Sequence, residues 1–285
     1  MEREIIRKII IEGQEFVNEI PLIKRPFFFE KNGNYVFVGI RQAGKSYLLY
    51  QRIQQLIEEG HSIEEMVYIN FDDERLRQFT THDFDLILQA YASMFNLRPI
   101  LFFDEIQNIE GWENFARRLA NQKYNVYITG SNAKMLSREI ATTLGGRYWN
   151  ADVYPYSFFE YLKAKNITLA TNWMYGKQSA EVSKLFNDYF SFGGFPELVD
   201  IIAKRAWLND IYSKIFFSDL IVRNKIRNEE AMGLLVKRLA EGVKQPVSHT
   251  RLANLISTAG IKISKATIID FIKYLKESCL LFPLE

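Results

Sequence analysis

The sequence predicts an α/β fold: a parallel sheet with helices on both faces, joined to an all-α region that ends in a winged helix-turn-helix. Three observations carry that prediction. In the first half, short apolar runs alternate with helical stretches. From about Pro155 onward the apolar residues fall at spacings of three and four. Near the end, two short helices are separated by a turn and followed by an apolar segment.

The strands are expected at Asn34 to Gly39, Met66 to Phe71, Ile100 to Phe103, Val126 to Gly130 and Tyr148 to Val153. Runs such as ILFF and VYIT carry no polar interruption, as buried parallel strands require, since both of their faces are covered. In the second half the segments SFFEYLKAKN, SAEVSKLFNDYFSF, DIIAKRAWLNDIYSKIFFSDL and EEAMGLLVKRLAEG read as helices. Gly193-Gly194-Phe195-Pro196 punctuates them. Ser248 is placed to cap TRLANLISTAG, Gly260 to end it, and Ser264 to cap KATIIDFIKYLKES. CLLFPLE then reads as a strand with no sequence left to pair it, so the chain is expected to be a piece of something longer. The divisions drawn from this pattern are residues 1–155, 156–228 and 229–285.

Composition narrows the function. The 285 residues are 48% hydrophobic and 25% charged, with 22 Phe, which is the usage of a folded globular chain. The 36 Lys and Arg nearly balance 34 Asp and Glu, so any basic surface must be local. One Cys and three His leave no disulfide framework and no structural zinc site. The first residues, MEREIIRKIIIEGQ, are too charged for a signal peptide, and no apolar run approaches the length of about 18 that a membrane span needs. A cytoplasmic protein is expected.

Gly39-Ile40-Arg41-Gln42-Ala43-Gly44-Lys45-Ser46 has the spacing of a phosphate-binding P-loop, between a strand and an amphipathic helix that opens at Tyr47. The glycines let backbone N–H groups turn inward on phosphate oxygens, and the helix adds its positive N-terminal end. Lys45 would reach the β- and γ-phosphates, and Ser46 would place a hydroxyl on Mg²⁺. A fortuitous match is expected on the order of once in a hundred chains of this length, before the strand and helix on either side are considered.

Asp104 and Glu105 end the strand at Ile100. Asp104 is placed to hold Mg²⁺ with Ser46, and Glu105 to orient or deprotonate the attacking water. The alternative is a carboxylate pair that caps the next helix. Thr129, Ser131 or Asn132, at the end of the fourth strand, either hydrogen-bonds the γ-phosphate or water, or caps a helix. Of Arg138 and Arg147, one supplied by a neighbouring subunit would offset charge on the transferred phosphoryl group; the alternative is a solvated surface arginine.

The ordered set GIRQAGKS, INFDDERL, LFFDEIQNIEGWENFARRL, YITGSNAKMLSREIATTLGGRY and VYPYSFFEYL resembles the AAA-type P-loop ATPases of bacteria and archaea that carry a DUF4143 C-terminal region. The likeness covers residues 20 to 200. It implies ATP bound at Gly39, Gly44, Lys45 and Ser46, a Walker B pair at Asp104 and Glu105, a sensor segment at Ser131 and Asn132, and Arg147 as the arginine acting on the phosphates. It also implies a longer chain, since members of that family usually continue into a nuclease-like region. Gln42 and Tyr47 depart from the pattern, where Arg and Thr are frequent.

ATP hydrolysis with Mg²⁺, coupled to movement of the helical regions, is the expected function; a slow nucleotide-gated switch is the alternative. Expected partners are ATP, DNA through Lys262, Lys265, Lys273 and Lys276, and further copies of the chain.

Overall fold

The computed structural model describes residues 2–131, 135, 138–243 and 246–282. The chain divides into two compact units, Met1–Lys204 and Arg205–Glu285.

The first unit is built on a five-stranded sheet: β1 (Tyr35–Val38), β2 (Met66–Asn70), β3 (Ile100–Asp104), β4 (Val126–Gly130) and β5 (Trp149–Asp152). Their order is β2-β3-β4-β1-β5, and every pairing is parallel. All five expected strands form, each within a residue or two of the expected ends. β1, β3 and β4 are buried along their whole length, which is why they read as unbroken apolar runs. β5 lies at the sheet edge and is largely exposed.

Helices α1 (Arg3–Glu19), α2 (Lys45–Glu58), α3 (Phe84–Ala92), α4 (Trp112–Asn121) and α5 (Arg138–Leu144) cover the sheet or connect its strands. The charged N-terminal stretch is α1, which buries Ile6, Ile9, Ile10 and Val17 and lies against β2 and α3. Its Gln14 donates a hydrogen bond to the Met66 carbonyl at 2.9 Å. On one sheet face Phe37, Phe102 and Tyr127 are fully buried with Leu48, Leu49 and Ile53 of α2. Phe102 and Tyr127 stack at 4.8 Å.

Between α1 and β1 the chain runs as a strap across α2. Arg25 N–H donates to the Gln51 side-chain oxygen at 2.7 Å, and the Gln51 amide donates back to the Arg25 carbonyl at 3.0 Å. Gln51, only 2% exposed, thus serves as a substitute strand edge for a segment with no ladder of its own. The first unit continues through α6 (Phe158–Ala164) and α7 (Gln178–Phe192). Ser157 caps α6 in a reciprocal box with Glu160.

α8 (Lys204–Lys214) opens at the boundary and continues into a π-helical stretch, Ile215–Val222. The second unit then forms α9 (Glu229–Glu241), α10 (His249–Thr258) and α11 (Lys265–Glu277) around a core containing Leu220, Leu235, Ile256, Ile268 and Leu275. The expected caps are present: Ser248 accepts from Arg251 N–H and Ser264 from Thr267 N–H. Gly260 ends the α10 turn with φ +90°.

The strand expected at Cys279 onward does not form in its described part. Leu280 and Leu281 N–H groups both donate to the Leu275 carbonyl, at 3.0 and 3.2 Å, and close the C-terminus of α11. Among the described residues no strand of the second unit is there to pair them, and these apolar residues pack onto the helical core. Residues 283–285 lie outside the described residues. A wing is therefore not shown, and the helical part of the expected fold stands alone.

Candidate functional site

Parallel strands carry their C-terminal ends to one edge of the sheet, and the strand order makes β1, β4 and β3 neighbours there. The Gly39–Ser46 loop leaves β1, Asp104 and Glu105 end β3, and Ser131 follows β4. Residues far apart in sequence meet for that reason.

The loop owes its path to backbone freedom at two points. Gly39 approaches β5 so closely that a Cβ there would sit 2.0 Å from the Val153 carbonyl oxygen. Gly44, the N-cap of α2, has φ +90°, a left-handed conformation that glycine adopts without strain. Gln42 is also left-handed, at φ 60°. Ala43 is thus flanked by two left-handed residues, a backbone pattern of the kind from which anion-binding nests are built.

Lys45 is 4% exposed and donates to the carbonyls of Gly39 and Ile40, both at 3.1 Å. Its ammonium lies 3.7 Å from Glu105 Oε1. Asp104 is 1% exposed and accepts from the Tyr68 hydroxyl at 2.7 Å and from the Thr129 hydroxyl. It is also hydrogen-bonded to the Ser46 side chain. Burial pushes the Asp104 carboxyl up; the Ser46, Thr129 and Tyr68 hydroxyls pull the other way without cancelling it, and Glu105 adds to the rise. Burial and the same carboxylate lift the Tyr68 phenol well above its ordinary value. Tyr50 continues the chain, its hydroxyl 2.9 Å from that of Tyr68 and its own value pushed up to about 12 by burial.

Thr129 does not face the loop as a free group. Its hydroxyl accepts from Glu105 N–H at 3.0 Å and donates to Asp104, so it ties the two carboxylate residues together. Glu105 sits at φ 51°, an uncommon conformation for a residue with a side chain. Ser131 is buried at the end of β4 and accepts from Gln107 at 3.3 Å. Asn132 lies outside the described residues, as does the Arg138 side chain. Tyr47 is half-exposed and meets Tyr50 edge-on.

Arg147 is not brought to this cluster. It precedes β5 by two residues, and Trp149 pairs with Tyr35 at the start of β1, so it belongs to the N-terminal ends of the strands. It is exposed, with its guanidinium donating to the Gly145 carbonyl at 3.1 Å.

Two residues of the site carry no motif signal. Arg25, from the strap, donates to the Ala43 carbonyl of the loop at 3.1 Å, to the Tyr154 carbonyl at 2.9 Å and to Glu160 at 2.7 Å. One guanidinium thereby joins the loop, the exit from β5 and the cap of α6. Gln107 donates from Nε2 to Glu105 Oε2 as well as to Ser131. No spacing in the sequence points to either residue.

A cation can be held between Ser46 and Asp104, whose oxygen atoms already meet. One hydroxyl and one carboxylate suit Mg²⁺, which keeps several waters and takes its other oxygens from phosphate. Among the described residues there is no cluster of three or more His, Cys, Asp or Glu.

Comparison with known proteins agrees with this geometry at the level of the domain. Residues 31–162 match a family model described as an AAA domain, and residues 183–285 match a domain of unknown function, DUF8612. The DUF4143 region expected from the sequence is not shown. An uncharacterised protein of Methanocaldococcus jannaschii is 33% identical over 98% of this chain, and one of Haemophilus influenzae is 30% identical over 96%. The chain spans 63% and 66% of those two proteins, less than two thirds of each. Among solved structures, AMPPCP-bound DnaA from Aquifex aeolicus matches at TM-score 0.37 and 13% identity, over 95% of this chain and 86% of that one. The Aeropyrum pernix ORC1 protein in complex with DNA matches at 0.36 and 14%, over 97% and 83%. Likenesses at these scores say nothing of what this chain binds.

Proposed function

We propose that the first unit binds ATP with Mg²⁺ and hydrolyses it to ADP and phosphate. One observation supports this above the others: a lysine, a hydroxyl–carboxylate pair and a second carboxylate converge on the mouth of a loop lined by backbone N–H groups. In this reading the Gly39–Ser46 loop cradles the phosphates, with Tyr47 following it in the first turn of α2. Ser46 and Asp104 would hold Mg²⁺, whose chemistry there would be Lewis-acid stabilisation of phosphate charge. Lys45 exchanges its ion pair with Glu105 for a phosphate oxygen. Glu105, released from the lysine, accepts the proton of the attacking water. In this reading Ser131, buried where β4 ends, and Asn132, next in sequence, take the sensor role toward the γ-phosphate.

Arg147 cannot serve its own loop from the other end of the strands. As an arginine acting on phosphate it would serve a second copy of the chain, which makes a homo-oligomer part of the proposal. The helical regions would respond to the nucleotide's state, with α10 and α11 serving as the two helices of a winged helix-turn-helix. Lys262, Lys265, Lys273 and Lys276 are exposed around α11 and offer phosphate contacts to DNA. ATP and Mg²⁺ are supplied in the cytoplasm, and the reading places the protein there. A slower, switch-like use of the same site is favoured by a single feature: both Glu105 carboxylate oxygens are engaged, one by Lys45 and one by Gln107.

The test is a titration with ATP and Mg²⁺, read as binding and as released phosphate, beside Lys45→Ala. Binding and phosphate release by the wild type and neither by the variant support the proposal. No binding by the wild type sinks it. For DNA, isotherms at two salt concentrations decide: binding that does not weaken with salt, or none at all, removes it as a partner.

A further inference from the structure

Gln107 is half-buried, with its amide turned into the cluster, yet no motif gives it a task. Its Nε2 faces the Glu105 carboxylate and the Ser131 hydroxyl. A carboxylate only accepts, so the nitrogen and not the oxygen of the amide must face it. That choice turns Oε1 the other way, where it is buried and finds no hydrogen-bond partner among the described residues. The donation to Glu105 thus sets the orientation of the amide and leaves that acceptor unpaired.

The surroundings are shaped to admit this amide. Gly130, the last residue of β4, lies so close that a Cβ there would be 2.5 Å from Gln107 Oε1 and 1.9 Å from Met135 Sδ. A side chain at that point would have to displace both of these flexible ends, so glycine lets the amide sit where it does. On its other side Glu105 is fixed through its backbone, by the bond to Thr129 and by φ 51°. Its carboxylate is left with two restraints of different kinds: Oε1 faces the ammonium of Lys45, and Oε2 is held by the amide of Gln107.

We propose that Gln107 is a positioning residue, which holds Oε2 of Glu105 and ties it to Ser131 so that Oε1 stays aimed at the phosphate mouth after Lys45 has turned to the nucleotide. This rests on the ATPase reading and deepens it. Without Gln107 the carboxylate can rotate about its last bond or follow the lysine. Nucleotide binding by the loop does not depend on that orientation; proton transfer from water does.

The experiment uses the 285-residue chain in five forms: wild type, Gln107→Ala, Gln107→Glu, Glu105→Gln and the double variant Glu105→Gln with Gln107→Ala. ATP affinity and single-turnover hydrolysis are measured for each, with thermal unfolding as a check on the fold. Gln107→Ala is expected to keep ATP affinity within about twofold and to slow hydrolysis on the order of ten- to a hundredfold. Gln107→Glu keeps the volume but loses the donor, and is expected to be at least as slow. In the Glu105→Gln background Gln107→Ala should change the rate by less than about twofold, because the carboxylate it positions is gone. Unchanged hydrolysis in both Gln107 variants overturns the inference, as does an equal slowing in both backgrounds. A wild type that binds ATP but does not hydrolyse it, or does not bind it, ends the ATPase reading and this inference with it.

Discussion

The ammonium of Lys45 lies 3.7 Å from the carboxylate of Glu105, and the lysine is 4% exposed. The two groups that the proposed reaction needs apart hold each other in the absence of nucleotide. Removing either has a different consequence. Lys45→Ala is expected to abolish ATP binding, since the loop loses its cation and Glu105 then faces the phosphates uncompensated. Glu105→Gln is expected to keep or tighten binding while hydrolysis falls by about 10²–10⁴-fold. A fluorescent-nucleotide titration paired with a phosphate-release assay separates the two.

Gly39→Ala tests the close approach of the loop to β5. The added methyl would meet the Val153 carbonyl oxygen at 2.0 Å, and Val153 is itself tied to β1 by its N–H, which donates to the Val38 carbonyl at 2.7 Å. A loss of about 1–3 kcal/mol in unfolding free energy is expected, with weakened ATP binding. Urea melts give the first and titration the second. A variant as stable as the wild type would mean that the loop moves freely at this point.

Arg25 carries a prediction for mutation and for pH. Arg25→Ala leaves Glu160, only 10% exposed, without its guanidinium, and the expected cost is about 3 kcal/mol. Arg25→Lys should recover little, since an ammonium cannot reach the Ala43 and Tyr154 carbonyls together with the carboxylate. Burial pushes the Glu160 carboxyl up, but Arg25 and the Ser157 N–H and hydroxyl outweigh it and leave it below its ordinary value. A carboxyl lowered by folding adds stability above its unfolded value of about 4.3, and that stability is lost as pH falls through the lower folded value. Between pH 5 and 3 the wild type should therefore lose stability more steeply than Arg25→Gln, as urea midpoints across that range will show.

Ser264→Ala addresses the second unit. Its hydroxyl accepts from Thr267 N–H at 3.0 Å at the start of α11. Loss of that cap is expected to lower the unfolding free energy of the helical core by about 1 kcal/mol. ATP affinity should be unchanged, because every described residue of the proposed site belongs to the first unit. Guanidinium unfolding monitored by helical circular dichroism measures the first expectation.

Much of this fold is legible in the sequence, for reasons that can be named. β1, β3 and β4 are covered on both faces, so their residues form unbroken apolar runs, and the P-loop and carboxylate motifs sit directly at their ends. Ser248 and Ser264 announce α10 and α11 because a capping hydroxyl acts on residues only three positions away. What is not legible depends on partners distant in sequence. Arg25 finds Glu160 and Gln107 finds Ser131 only after the sheet has formed. The charged alternation of α1 hides its apolar face. Thr129 reads as a free hydroxyl at a strand end, yet its place between Asp104 and Glu105 uses both its donor and its acceptor. CLLFPLE has the composition of a strand, but composition cannot supply the neighbour a strand needs, and its described residues close a helix instead.

The sheet order also sets an order of events in time. β2, β3 and β4 are consecutive and adjacent, so they can assemble as each leaves the ribosome. β1 must wait, since Tyr35 pairs with Tyr127 and Trp149 and has no earlier partner in the sheet. Closing so long a span is slow relative to local pairing. The phosphate loop, which depends on β1 for its position, is consequently among the last parts of the unit to take shape. ATP added during refolding should leave the early phase untouched and act only on the final one.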